Sequence, residues 1–106
     1  MLDGQKIKLG EKEYVIPPLN LKGIRAMQAR IEIINKSKPD EIFSAKYTGA
    51  VADVIHTALV RNYPDVTREE MEDILDLANV RDAYHATMNV SGLVKKPGEA
   101  TGPESL

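Results

Sequence analysis

The chain contains no cysteine, no tryptophan and a single phenylalanine in 106 residues. Without cysteine there is no disulfide scaffold, no Cys-ligated zinc site, no iron–sulfur cluster and no thiol nucleophile, a composition that suits a reducing compartment. Neither sign of charge prevails: fourteen Lys and Arg against sixteen Asp and Glu leave a net charge of -2. That balance does not favour gripping a polyanion by bulk electrostatics, so nucleic acid is not an expected partner. Long apolar runs are missing too. No stretch approaches the ~18 consecutive apolar residues of a membrane span, and Met1-Leu2-Asp3-Gly4-Gln5-Lys6 lacks the apolar core of a signal peptide. The expectation is a soluble intracellular protein with no membrane partner. The length is that of one domain, which excludes separate cofactor and substrate lobes. A chain of this size buries roughly two thirds of the surface its unfolded form exposes, enough to fold without staples but with little margin.

What is present is patterned. Residues 5–16 alternate apolar and charged side chains, with Ile7 and Leu9 before Gly10-Glu11 and Tyr14 and Ile16 after it, which predicts a β-hairpin. Lys6, Lys8, Lys12 and Glu13 then point to solvent, while Val15 interrupts the alternation and suggests a strand covered on both faces. A two-stranded ribbon is marginal in water and must pack on helices or be completed by another chain. Pro17-Pro18 ends it, since neither proline can donate to a ladder. Asn20 is an N-cap candidate, and Leu21, Ile24, Met27, Ile31 and Ile34 then recur at helical spacing down a helix ending near Asn35.

After Lys36-Ser37-Lys38, Pro39 suits a first helical turn. The longest helix is expected from about Asp40 to Asn62, with the stripe Phe43, Tyr47, Ala50, Val51, Val54, Ala58 and Leu59, and Tyr63-Pro64-Asp65 breaks it. Thr67 and Glu70 have capping-box spacing, and Val66 and Met71 that of a hydrophobic staple. The helix they open runs through Ile74 and Leu75 and pauses at Leu77-Ala78-Asn79. A last helix from about Val80 to Val90 would bury Val80, Ala83, Tyr84, Thr87 and Met88. Residues 94–106 carry the Pro, Gly, Ser and Glu of a disordered C-terminal tail. The expected fold is therefore mainly α with a small N-terminal β-hairpin (α+β), about four helices packed as a compact bundle. It forms a single domain over residues 1–93, with the hairpin at 5–16, the helical part at 20–92, and the tail beyond.

Candidate chemistry is sparse. Asp53-x-x-His56 and Asp82-x-x-His85 each put a carboxylate and an imidazole on one helix face, a spacing that di-iron bundles use with Glu in place of Asp. Both pairs fall away from the apolar stripes, so they are expected to face water, and no metal site is expected. The acidic run Glu69, Glu70, Glu72, Asp73 and Asp76 lies near a helix N-terminus, where negative charge is favourable. It lacks the pocket that would separate two carboxyl pKa values for acid–base work. Ser37, Ser44, Ser91 and Ser105 have no glycine-rich elbow, and the seven glycines are scattered singly, so no hydrolase nucleophile or phosphate loop is visible. No catalytic residue and no cofactor follow.

A helix-turn-helix reading takes residues 67–90, with Leu77-Ala78-Asn79 as the turn and Val80–Val90 as the reading helix. That helix offers Arg81 and Asn89 but also Asp82, a poor set for a DNA groove. Met27, Met71 and Met88 lie on apolar stripes, where methionine either fills a core or lines an adaptable groove for apolar helices. With few large side chains to close the core, a partner helix or self-association as a homo-oligomer would help. Met27, Ile31, Met71 and Met88 are accordingly the candidate partner-binding groove.

Gly10-Glu11-Lys12-Glu13-Tyr14-Val15-Ile16-Pro17-Pro18-Leu19, followed by a helix bearing Leu, Ile and Arg, resembles the opening of the small tail assembly chaperones of long-tailed bacteriophages. Val54-Ile55-His56-Thr57-Ala58-Leu59-Val60-Arg61-Asn62-Tyr63-Pro64-Asp65-Val66-Thr67 resembles the segment those proteins carry before a short acidic helix. That helix continues here as Glu69-Glu70-Met71-Glu72-Asp73-Ile74-Leu75-Asp76-Leu77-Ala78-Asn79, and the resemblance closes with Met88-Asn89-Val90-Ser91-Gly92-Leu93. It covers most of the chain in order. The resemblance implies a non-enzymatic factor for viral tail morphogenesis that binds and solubilises the long, helical tape measure protein and hands it to the tail tube protein. Such a factor works in the host cell cytoplasm and is not expected in the mature virion. In several such families a frameshift also gives a longer form, and Lys95-Lys96 could be encoded by an A-rich slippery run; a basic pair near a helix C-terminus is also favourable in itself. The family has no catalytic motif to carry over. The alternatives are a small intracellular protein-interaction adaptor, of the tail-completion or antitoxin kind, and a helix-turn-helix DNA-binding regulator.

Overall fold

Gln5–Leu9 (β1) and Lys12–Ile16 (β2) pair antiparallel in the computed structural model of the chain, which describes residues 1–93. Ile7 lies opposite Tyr14 and Leu9 opposite Lys12. Gly10 at φ 69° with Glu11 at negative φ makes the two-residue turn that needs glycine first, and whose twist matches that of the strands. One face of the ribbon sends Leu9, Tyr14 and Ile16 into the core. Its outer edge is covered by the chain just after the second long helix. The Val15 N–H donates to the Tyr63 hydroxyl at 2.8 Å, and the Val15 carbonyl accepts from Asn62 Nδ2 at 3.0 Å. Asn62 also holds Leu2 through one donated and one accepted bond. Occupied in this way, β2 no longer offers a free ladder to another strand. The Tyr63 ring meets Tyr14 edge to face with centroids 5.2 Å apart. The ribbon is thus completed by packing on helices.

Leu21–Lys36 (α1) starts where Asn20 is expected to cap it, its side chain accepting the Gly23 N–H at 2.8 Å. The next helix corrects the expectation. Pro39–Glu41 is a single 3-10 turn, and Ala45–Leu59 (α2) begins only after Ser44, whose hydroxyl accepts the Tyr47 N–H. Two local side chains decide this: the Glu41 carboxylate accepts the Lys38 N–H and Ser44 opens a fresh cap, so the backbone is satisfied in two separate turns. Phe43 is left in the linker at 66% exposure, and Leu21 on the first turn of α1 at 79%. Neither joins the stripe it was assigned to. With sixteen residues against fifteen, α1 is the longest helix among the described residues.

Arg68–Ile74 (α3) carries the capping box: the Thr67 hydroxyl accepts the Glu70 N–H at 3.0 Å and the Glu70 carboxylate accepts the Thr67 N–H at 2.8 Å. It ends at Ile74, with Leu75 already extended. A turn follows in which Asp76 Oδ1 accepts the N–H groups of Ala78 and Asn79, while Asn79 Oδ1 accepts the Asp76 N–H. Val80–Val90 (α4) then buries Ala83, Ala86, Thr87 and Met88, with Val80 and Tyr84 half-buried. The helix α2 is the axis, touching α1, α3, α4 and β2. The fold is mainly α with an N-terminal hairpin, as the sequence predicts. Among the described residues no helix is long and apolar enough to cross a membrane. The expected tail at 94–106, with Lys95-Lys96, lies outside the described residues.

Candidate functional site

The start of α1 is tied to the end of α4, because the Leu19 N–H donates to Ser91 Oγ at 2.9 Å. Beside that tie the two helices leave a groove of about 400 Å³. Its α1 wall is Ile24, Gln28, Ile31 and Asn35, and its α4 wall is Tyr84, His85 and Met88. With Leu21 one step earlier, the α1 wall has the alternating three- and four-residue spacing of a coiled-coil seam. Leu93 closes one end, and backbone chemistry puts it there. Gly92 takes φ 76°, its N–H donates to the Asn89 carbonyl at 3.2 Å, and the Leu93 N–H donates to the Met88 carbonyl at 2.8 Å. These are the two bonds of a Schellman C-cap, which folds the residue after the glycine back over the last turn.

Tyr84 is the unusual member. Its hydroxyl is buried and has no hydrogen-bond partner among the described residues. Burial, and then the neighbouring Tyr47, push its pKa up to about 12, so it is a protonated donor throughout the neutral range.

Of the four residues assigned to a partner groove, Ile31 and Met88 line this one, although Met88 is only 6% exposed. Met27 is half-buried against the core outside the groove. Met71 is wholly buried, because the capping box and Val66 turn the first turn of α3 inward. It is core rather than groove. The periodic reading puts Ile24 and Tyr84 on buried stripes rather than in a groove, and it misses Gln28, Asn35 and Leu93. The heptad spacing of Gln28 and Asn35 and the glycine before Leu93 are the available signals.

The expectation that Asp53 and His56 face open water is also corrected. Asp53 accepts from Arg68 Nε at 2.6 Å and from Arg30 Nε at 3.3 Å, which ties α1 and α3 across α2. Partial burial pushes its carboxyl upward, but the hydrogen bonds and charges of Arg68 and Arg30 outweigh this and hold it below the ordinary 3.8. For Arg68 burial works downward, and bonds to Asp53 and Glu72 carry the net shift upward. Arg68 also donates to the Gly49 carbonyl. His56 Nε2 donates to the Val66 carbonyl at 2.8 Å, steadying the residue before the α3 cap. Asp82 and His85 are exposed, and no cluster of three metal-ligating side chains occurs among the described residues.

The carboxylates of the acidic run are exposed: Glu70 caps α3 and Asp76 builds the following turn, both by accepting backbone N–H groups, while Glu72 pairs with the Arg68 side chain at 2.8 Å. Ser37, Ser44 and Ser91 bond main-chain groups. The exposed face of α4 carries Arg81, Asp82, His85 and Asn89, the last bonded to Gln5, so the helix-turn-helix reading gains no cationic surface. Compared with known protein families, with characterised proteins and with solved structures, the chain matches none.

Proposed function

We propose that this protein is a non-enzymatic tail assembly chaperone, which binds the tape measure protein of a long-tailed bacteriophage and keeps it soluble until the tail tube protein receives it. The work would take place in the host cell cytoplasm. The observation that supports this most is the α1–α4 groove, a largely apolar channel at helix-seam spacing that the described residues leave open. A long helix with one apolar face needs that face covered before assembly, and a small domain present in many copies can cover it through a shallow groove. The order of hairpin, helix, Tyr63-Pro64-Asp65 turn and capped acidic helix adds the support of resemblance.

The test is co-expression of a tape measure protein with the wild-type chain and with Leu93→Glu. Leu93 is on the groove rim at 39% exposure, so the variant is expected to keep its circular dichroism and Tm. Wild type should move the tape measure protein from pellet to supernatant, and Leu93→Glu should return it to the pellet. No solubilisation by wild type would contradict the proposal.

A further inference from the structure

The two edges of the hairpin ribbon differ. On β2 the Val15 N–H and carbonyl turn outward, to Tyr63 and Asn62, so Val15 and its partner Lys6 form a non-hydrogen-bonded pair. The two-residue turn agrees with this. Leu9 and Lys12 close it, and bonded and non-bonded pairs then alternate, which leaves Lys8–Glu13 and Lys6–Val15 non-bonded. The N–H and carbonyl groups of Lys6 and Lys8 therefore point away from β2, and among the described residues nothing bonds them. Ile7, between the two lysines, is opposite Tyr14 and on the inward face with Leu9, yet it is only half-buried where those two are buried. Cover is incomplete on the β1 side. Lys6 and Lys8 stand on the outer face, exposed and in no ion pair among the described residues.

We propose that the outer edge of β1 takes an extended segment of another protein in which acidic and apolar side chains alternate. The added strand uses the outward groups of Lys6 and Lys8 as its ladder, sets a carboxylate opposite each lysine, and lays an apolar side chain against Ile7. A helix bonds its own N–H and C=O groups internally and cannot extend a ladder. The edge is thus separate from the α1–α4 groove, and the inference does not rest on the chaperone reading. A second copy of β1 does not fit, because the residues whose backbone faces outward are the lysines themselves, and pairing two such edges would set lysine against lysine. Lysine on an open edge turns away unselected strands; an acidic strand is the one it attracts.

The experiment uses the full chain and synthetic peptides of about six residues, the length of an ordinary strand. One alternates Glu and Val, a second has Lys in place of each Glu, and a third keeps the Glu–Val sequence but carries N-methyl groups on the Glu amides, which face β1 in this pairing. Binding is read by fluorescence anisotropy and by amide exchange. Wild type is expected to bind the Glu–Val peptide about tenfold more tightly than the Lys–Val one, since opposite-charge pairs replace like-charge ones, and not to bind the N-methylated one. Binding should slow exchange at the Lys6 and Lys8 amides and leave Ile7, already in the β1–β2 ladder, unchanged. Lys8→Ala keeps the ladder and loses one charge, so affinity should fall severalfold. Lys8→Pro removes an outward N–H with the bonds to β2 intact, so it should keep its circular dichroism and abolish binding. No binding at about millimolar peptide overturns the proposal, and so does a preference for Lys–Val. Equal affinity for the N-methylated peptide would leave charge attraction without a ladder and also overturn it. Slow exchange at Lys6 and Lys8 in the free chain would do the same: independent of concentration it assigns the edge to another part of the chain, and rising with concentration to a second copy.

Discussion

The helices α1 and α2 are nearly equal in length and both carry apolar residues at helical spacing, yet α2 buries seven residues and α1 only Gly23 and Ile34. The difference lies in the neighbours. The helix α2 is surrounded by α1, α3, α4 and β2, whereas α1 is packed mainly against α2 and leaves Ile24 and Ile31 in the groove. Periodicity shows that a helix has an apolar face and is silent on what covers it. In this chain the central helix carries stability, and the outer one carries a surface.

That contrast can be broken by truncation. Ile55→Ala, at a position with no exposed surface, should cost about 2–5 kcal/mol in urea unfolding, since it removes buried methyl groups and leaves a cavity in the axis of the fold. Equal costs for Ile55→Ala and a truncation on the α1 wall would erase the distinction. The ion-pair cluster comes next, because it links α1 to α3 through Asp53 of α2. Asp53→Ala leaves Arg30 and Arg68 without their shared acceptor and should cost about 1–2 kcal/mol, discounted for their partial exposure.

The same carboxylate predicts a pH dependence. Its folded pKa lies below the ordinary 3.8, so the unfolded chain takes up the proton first as the solution is acidified. The stabilisation is therefore present above the unfolded pKa and is lost as pH falls through the folded one. Urea midpoints of wild type and Asp53→Ala should converge below that range and separate above it. Thr67→Ala, which removes the cap of α3, should cost about 1 kcal/mol. Ile31→Ala on the half-covered wall of α1 is expected to be the smallest, about 0.5–1 kcal/mol, because little area is lost from contact. It should weaken partner binding more than it weakens the fold.

Local chemistry was legible in the sequence wherever one residue type answers one backbone need. Gly10 in the hairpin turn, Asn20 at the start of α1 and the Thr67–Glu70 box are such cases, and each is found in place. Less legible were features decided by tertiary neighbours. Asp53 and His56 sit off the apolar stripe of α2 and read as solvated, yet Arg30, Arg68 and the Val66 carbonyl come to them from elsewhere in the chain. Asn62 and Tyr63 looked only like the end of a helix, and their bonds to Val15 depend on a hairpin far away in sequence. Phe43 has the right spacing for the α2 stripe, but Ser44 restarts the helix after it. In the groove, periodicity points to Ile31 and Met88 but not to Gln28 and Asn35, because a polar residue on an apolar face reads as an interruption of the stripe.

The most direct test of the account is amide hydrogen exchange on the full chain, with and without a bound tape measure protein or helical segment of it. In the free protein α2 should already exchange near the rate of global unfolding and α1 should exchange faster. On binding, protection should rise along Ile24–Asn35 and Tyr84–Leu93 and stay unchanged in α2. Protection that appears instead on α3 or the hairpin, or that leaves α1 unaltered, would contradict the assignment of the α1–α4 groove as the surface that works.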